Sequence, residues 1–189
     1  EEIWSKLASQ SALRTHILST IAAGFARSDS ELKAFMATTF YAQQQDSWQL
    51  DMTVEKVVQF LKENSMIQSE DEEGLLPSKL GSLVSKLYID PLSAVIMLEA
   101  LKRKRAERSM GQSEGKVSQF TSALDLRASG RAPTELGLIH LITMTPNMDL
   151  LYVQSADGWV EEFIDQHQSE LYDEDNYDYL LREAKTAAM

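Results

Sequence analysis

Four aliphatic residues near position 57 recur at a spacing that places them all on one face of a helix. They are Val54, Val57, Val58 and Leu61. This i, i+3, i+4, i+7 spacing predicts an amphipathic helix, which Thr53 can cap. The opposite face is polar, so the narrow apolar stripe must be buried against other elements. The segment therefore predicts one member of a small helical core.

Two further amphipathic helices are predicted before this valine stripe. An apolar residue at every fourth position predicts the first over about residues 11–26, with Gly24 helping to end it. A capping box, Ser28 with Glu31 three residues later, predicts the start of the second. The apolar positions of the first helix are Leu13, Ile17, Ile21 and Phe25, and those of the second are Leu32, Phe35, Met36 and Phe40.

Two short apolar runs follow the valine stripe, at residues 66–68 and 75–77, and an acidic turn ending in glycine separates them. This pattern predicts a small β-hairpin, after which Ser78 can start a fourth helix that ends near Ile89. Three short helices followed by a hairpin are typical of a winged-helix domain, in which the third helix meets DNA and the hairpin is the wing. We predict such a domain at residues 1–90.

Residues 91–189 are predicted to form part of a helical bundle, so the whole chain is mainly α. Asp90 and Pro91 are an N-cap and a first helical residue, and they open a helix at 92–101 that is apolar almost all round. A second apolar helix is predicted at 136–142. We expect both to be buried between other elements. Two acidic amphipathic helices are predicted at about 159–168 and 177–189.

The charge distribution limits where nucleic acid can bind. The 189 residues have a net charge of −11. Residues 1–132 hold 16 Lys and Arg against 17 Asp and Glu, net −1, whereas residues 133–189 hold 2 against 12, net −10. Because phosphates repel an acidic surface, we expect the C-terminal third not to touch DNA unaided. No apolar run approaches the ~18 residues that span a bilayer, so no membrane association is expected.

The sequence contains no recognisable catalytic motif. A phosphate-binding G-x-x-x-x-G-K-[ST] loop and a G-x-S-x-G nucleophile elbow are missing, and zero cysteines exclude thiolate chemistry. His16, His140 and His167 lie far apart and lack i, i+4 partners, so we interpret each as a core or surface histidine rather than a metal ligand. We expect no catalytic residue, metal site or cofactor in this chain.

Two sets of polar side chains are candidates for DNA contact. Lys56, Gln59 and Lys62 are predicted opposite the valine stripe, where a winged helix meets DNA. The second set, at the end of the apolar helix that follows Pro91, is Lys102, Arg103, Lys104 and Arg105. Cations at a helix C-terminus also complement the helix dipole, and this second explanation stays open. We interpret three aromatic residues as core or domain-interface packing rather than a base-stacking platform: Phe40, Tyr41 and Trp48.

Several strings in the chain resemble the archaeal Hjm-type helicases, relatives of eukaryotic HELQ among the superfamily-two, Ski-like DNA helicases. The strings are TFYA at 39–42, LGSLVSKLYIDPLSA at 80–94, LIHLITMTPNM at 138–148 and LREAKTA at 181–187. The resemblance implies a winged-helix domain followed by a truncated first part of the family's helical ratchet domain. The connection at 102–133 is longer than the usual link in that family.

The missing membrane segment and secretory leader predict a cytoplasmic protein. The resemblance implies that the parent is an ATP-dependent helicase that moves 3′ to 5′ on DNA and acts in repair of stalled replication forks. Its RecA-like motor domains, with ATP and Mg²⁺, would lie before this chain, and its base-stacking ratchet residues would lie beyond it. The expected partners are single-stranded or forked DNA and those motor domains. The expected role is accessory DNA binding and scaffolding. The alternative is a winged-helix protein-interaction module that docks on a basic partner or on the motor.

Overall fold

The computed structural model of the protein describes residues 3–69, 74–110, 133–172 and 176–189, without the side chains of 106–110. It divides into unit 1, Glu1–Val95, and unit 2, Ile96–Met189. The division falls inside a helix, a few residues after the predicted boundary at Asp90. The described helices are α1 (Gln10–Ala22), α2 (Asp29–Ala37), α3 (Ser47–Glu63), α4 (Lys79–Leu87), α5 (Pro91–Met110), α6 (Glu135–Thr143), α7 (Trp159–His167) and α8 (Tyr177–Ala188), with 3₁₀ turns at Lys6–Ala8 and Ala42–Gln44.

The predicted apolar stripes of α1, α2 and α3 form the core of unit 1. Its buried members include Leu13, Ile17, Ile21, Leu32, Met36, Val54, Val57, Val58 and Leu61. Phe25, Phe35 and Phe40 are exceptions, because their side chains are 71%, 39% and 54% exposed. Helix α1 ends at Ala22, and Gly24, at φ 76°, turns the chain before Phe25 could join the stripe. Helix α2 ends at Ala37, so Phe40 lies outside it.

The predicted N-cap of α2 is confirmed, and the predicted N-cap of α3 is wrong. The Ser28 hydroxyl accepts a hydrogen bond from the Glu31 amide at 3.2 Å, which confirms the predicted start of α2. Thr53, however, does not cap α3. The helix starts at Ser47, and the Thr53 hydroxyl donates to the Gln49 carbonyl at 2.7 Å inside it. Leu50, which is 5% exposed, extends the valine stripe by one turn toward the N-terminus.

The predicted hairpin is present. Strand β1 (Ile67–Gln68) pairs antiparallel with β2 (Leu76–Pro77). The segment between α1 and α2 lies beside this hairpin, because the Leu75 amide donates to the Arg27 carbonyl at 2.8 Å and Ser28 forms a bridge with Gly74. Three helices closed by this small sheet confirm the mainly α, winged-helix architecture of unit 1.

Helix α4 packs closely on the hairpin through Gly81. Ser78 caps the helix as predicted, and its hydroxyl accepts from the Gly81 amide at 3.0 Å. A Cβ atom at Gly81 would overlap the carbonyl oxygen of Met66. That carbonyl also accepts a hydrogen bond from the Ser78 amide at 2.9 Å, which fixes the position of the strand beside α4. A glycine is therefore required at this helix–hairpin contact.

The start of α5 is tied to α1 by a buried ion pair. Arg14 donates from Nε and Nη2 to the two carboxylate oxygens of Asp90, at 2.9 and 2.8 Å. The Asp90 side chain is 1% exposed and also accepts from the Leu92 amide at 3.3 Å, as the predicted N-cap should. This bidentate contact joins the two ends of unit 1.

Unit 2 contains the two acidic helices where the sequence predicts them, as α7 and α8. Val160, Ile164, Leu171 and Ala184 form one cluster of buried side chains, and Ala100, Leu141 and Tyr172 form another. The expected full burial of α6 is wrong. Its Leu138, Ile139 and Ile142 side chains are 44%, 47% and 51% exposed, because the described elements cover only the side that carries His140 and Leu141.

The Ser, Gly and Gln residues at 109–115 predict a loop, which the structure tests only in part. Ser109 and Met110 still belong to α5, so the helix runs through the basic segment, and residues 111–132 lie outside the described ranges. Within the described chain no single helix has the length and apolar composition needed to cross a membrane. Helices α4 and α5, up to Arg105, pass that test only together, as a strongly bent pair.

Candidate nucleic-acid interface

The outward face of α3 carries two of its three predicted contact residues. Lys56 and Gln59 are exposed, and the buried Val54, Val57 and Val58 lie on the other side of the helix. Three residues correspond to about 300° of helical rotation, so the two polar side chains lie about 60° apart on neighbouring turns. The structure therefore places a cation and an amide together on the face that a winged helix presents to DNA.

Lys62, the third predicted residue, lies on the flank of α3 instead. Its side chain is 35% exposed, and its Nζ atom is 3.9 Å from Oδ2 of Asp29 in the first turn of α2. The position follows from helical geometry, because Lys62 lies one turn after the buried Val58. A cavity of about 260 Å³ between α2 and α3 is lined by Asp29, Lys33, Val54, Glu55, Val58, Gln59 and Lys62.

Acidic side chains reduce the positive charge of this surface. The side-chain amide of Gln59 donates to Oε1 of Glu63 at 2.8 Å, and Glu55, next to Lys56 in the sequence, is exposed. Helix α3 contains three carboxylates and two lysines, so its net charge is −1. Any phosphate contact made here is therefore weak.

The predicted packing of the aromatic residues near the start of α3 holds for only one of them in unit 1. Tyr41 is 7% exposed and belongs to the core, as predicted. Phe40 and Trp48 are 54% and 68% exposed, so neither is packed in the core, and domain-interface packing stays a prediction for both. Met52, which the sequence reading did not single out, lies one turn after Trp48 and is 49% exposed. The predicted acidic wing tip falls on residues 70–73, outside the described ranges.

The residues of the second predicted set, on α5, differ in exposure. Lys102, Arg103 and Arg105 are exposed, whereas Lys104 is half-buried. Its ammonium donates to the carbonyl of Leu171 and lies 4.9 Å from the centroid of the Tyr172 ring. Lys104 thus fastens the segment between α7 and α8 to α5, which leaves it poorly placed for phosphate contact.

His140 holds the same segment from α6. Its side chain is completely buried, which confirms its interpretation as a core histidine, and its Nδ1 atom accepts from the Tyr172 amide at 3.2 Å. The two rings stack with centroids 6.4 Å apart. Burial, followed by the charge of Lys104, lowers the pKa of His140 to about 4. The imidazole is therefore neutral near pH 7, with its proton on Nε2, 3.9 Å from the Glu183 carboxylate.

We predict that Lys104→Met destabilises unit 2 by about 1–2 kcal/mol, because it removes a charged hydrogen bond and a cation–π contact but keeps the apolar stem. Urea unfolding followed by Trp159 fluorescence, with Trp4 and Trp48 replaced by Phe, measures the change. Lys102→Met is the matched control, since it makes the same substitution at an exposed position. Equal stability of the two variants would contradict the fastening role of Lys104.

Comparisons with known proteins place both units in one family. A model for a helix-turn-helix domain matches residues 1–68, and a model described as archaeal helicase, domain 4, matches residues 136–189. The chain is 35% identical over 198 aligned residues to the ATP-dependent DNA helicase Hel308 of Methanocella arvoryzae, covering all of this chain and 23% of that protein.

Two further relatives carry the same name. The protein of Methanocaldococcus jannaschii is 38% identical over 111 residues, which cover 58% of this chain and 9% of that protein. The protein of Pyrococcus abyssi is 28% identical over 180 residues, which cover 94% of this chain and 22% of that protein. The chain thus spans less than a quarter of the length of these relatives. With its helix-turn-helix and domain-4 matches in the same order as units 1 and 2, the chain belongs to the Hel308-type helicase family.

Proposed function

We propose that this chain is an accessory DNA-binding and scaffolding region of an ATP-dependent DNA helicase. The observation that carries the proposal is the exposed pair Lys56 and Gln59 on the third helix of a winged-helix unit. The relatives are named as ATP-dependent DNA helicases, which supports the assignment of the parent activity. We further propose 3′ to 5′ movement, action at stalled replication forks and a cytoplasmic location.

In this proposal the contacts are made to the DNA backbone. Lys56 pairs with a phosphate, and the Gln59 amide hydrogen-bonds to a phosphate or sugar oxygen. Lys102 and Arg103 on α5 supply a second phosphate contact. Such contacts hold DNA of any sequence and carry no base specificity. The substrate is therefore proposed to be single-stranded or forked DNA, selected by its shape rather than by its bases.

The sequence has no G-x-x-x-x-G-K-[ST] loop, and the described residues contain no group of three His, Cys, Asp or Glu that could hold a metal ion. We assign nucleotide hydrolysis to RecA-like motor domains of the same polypeptide, outside this chain. We propose that this chain holds DNA and supports those domains.

The proposal predicts that Lys56→Gln weakens DNA binding uniformly across sequences. Each lost phosphate contact should reduce the slope of log affinity against log salt by about 0.7–0.9. The measurement is fluorescence anisotropy with labelled single-stranded and forked DNA at two salt concentrations. Lys86→Gln on α4 is the control, because it removes an exposed lysine outside the proposed face. The same series with Lys102→Gln and Arg103→Gln tests the α5 contact.

A second candidate function is docking on another protein. The observation that favours it is the exposure of Trp48 and Met52, one turn apart on α3 with its acidic residues, and of Phe40 before that helix. Large exposed side chains of this kind are enriched in protein interfaces. Salt-insensitive or undetectable DNA binding in the titration above would reject the first proposal and favour this one.

A further inference from the structure

We infer that the DNA-binding face of α3 is attenuated by carboxylates of its own domain, with Asp29 as the principal one. The inference rests on the proposed function and concerns the regulation of the same surface. In this inference the ion pair with Asp29 keeps Lys62 from contacting a phosphate. Removing the Asp29 charge therefore strengthens DNA binding.

The contact between Asp29 and Lys62 carries this inference. Their side chains are 41% and 35% exposed, and the carboxylate and ammonium lie 3.9 Å apart across the opening between α2 and α3. Both also line the cavity that reaches Gln59 on the outward face. The pair therefore sits at the edge of the proposed interface, within reach of solvent and of a docked phosphate.

The negative charge of Asp29 is favoured by its place in α2, independently of Lys62. Asp29 is the first residue of α2, where Ser28 caps the helix and the amide dipoles favour a negative side chain. Lys62 lies in the last turn of α3, where the dipole favours a cation, but its flexible four-carbon stem lets the ammonium take several positions. Because the aspartate side chain is short and the lysine side chain is long and flexible, the cation is the member of the pair that can exchange Asp29 for a phosphate.

On the outward face, a second carboxylate contacts one of the predicted DNA-binding residues. Glu63 accepts the hydrogen bond of Gln59 at 2.8 Å, one helical turn away. Of the three predicted contact residues on α3, two are thus engaged by carboxylates of unit 1, and Lys56 remains the outward cation. An ion pair presents almost no net charge to DNA, so Lys62 adds little to binding while Asp29 is ionised.

The test is a double-mutant cycle on the full chain, with Asp29→Asn and Lys62→Gln measured by anisotropy on forked DNA. We expect Asp29→Asn to tighten binding about threefold at about 50 mM salt, with a steeper salt dependence, because exposed pairs are weak and screened. Lys62→Gln should change binding little in the native background and weaken it about threefold in the Asp29→Asn background.

The matched control is Asp51→Asn, which removes one exposed carboxylate from α3 about three helical turns from Lys62. Equal tightening by Asp29→Asn and Asp51→Asn would reduce the effect to net charge and overturn the inference. The inference would also be overturned if Lys62→Gln weakened DNA binding about threefold in the native background. If Lys56→Gln weakens binding but Asp29→Asn does not strengthen it, the inference fails and the proposed function stands. If the native chain shows no salt-sensitive binding, both fail.

Discussion

Gly81→Ala should lower the free energy of unfolding of unit 1 by about 3 kcal/mol, at the upper end of the cost of overpacking. The added methyl group would occupy the space of the Met66 carbonyl oxygen. The strand cannot move away freely, because the same oxygen accepts the hydrogen bond of the Ser78 amide that precedes α4. Either the helix shifts or the hairpin loses this contact, and both change the wing.

Urea unfolding of the variant, followed by the fluorescence of Trp48 with Trp4 and Trp159 replaced by Phe, measures this effect. Gly158→Ala is the matched control, since it makes the same substitution at φ −54° with no atom within 4 Å of the new Cβ. Gly158 should therefore tolerate alanine without loss. A Gly81→Ala chain as stable as the Gly158→Ala chain would show that α4 does not pack against Met66 as described.

Unit 2 should lose about 3 kcal/mol of stability as the pH falls from 6.5 to about 4, because of His140. Above pH 6.5 the His140 imidazole is neutral in both the folded and the unfolded state. Its protonation therefore takes nothing from the free energy of unfolding of unit 2 in that range. Between its unfolded pKa of 6.5 and its folded pKa of about 4, only the unfolded chain takes up the proton. At about 1.4 kcal/mol per pH unit, this difference gives the expected loss.

A non-titrating variant isolates the His140 contribution. In His140→Gln the free energy of unfolding of unit 2 should be nearly constant from pH 6.5 to 4.5, whereas His16→Gln, at an exposed position, should keep the native slope. Hydrogen bonds from Lys185 and Thr134 lower the pKa values of Asp157 and Glu170, so their stabilisation is lost at more acidic pH, below this window. A native slope in His140→Gln would contradict the account of its burial.

The sequence predicted the elements of unit 1 well because their signals are local. Helical periodicity placed the buried faces of α1 to α3, and the capping box at Ser28 gave the start of α2. The start of α3 was missed because Leu50, one turn before Val54, was not counted in the stripe. On α6, an apolar pattern on all sides could not show which side the described neighbours cover.

The candidate site was harder to predict because its contacts join distant positions. Lys62 meets Asp29 on another helix, and Lys104 meets the backbone carbonyl of Leu171, 67 residues away. A backbone acceptor leaves no trace in residue types, so nothing in the basic run distinguished Lys104 from Lys102. The exposure of Phe40 and Trp48 likewise depends on what packs around them.

The central claim is that the outward face of α3 meets the DNA backbone, and NMR titration with forked DNA tests it most directly. The side-chain amide of Gln59 is the best reporter, because its hydrogen bond to Glu63 at 2.8 Å must change when a phosphate approaches. We predict that this amide and the backbone amides around Lys56 shift progressively at low salt and return toward their free positions as salt is added. Shifts confined to Phe40 and Trp48, with Gln59 unchanged, would contradict the account.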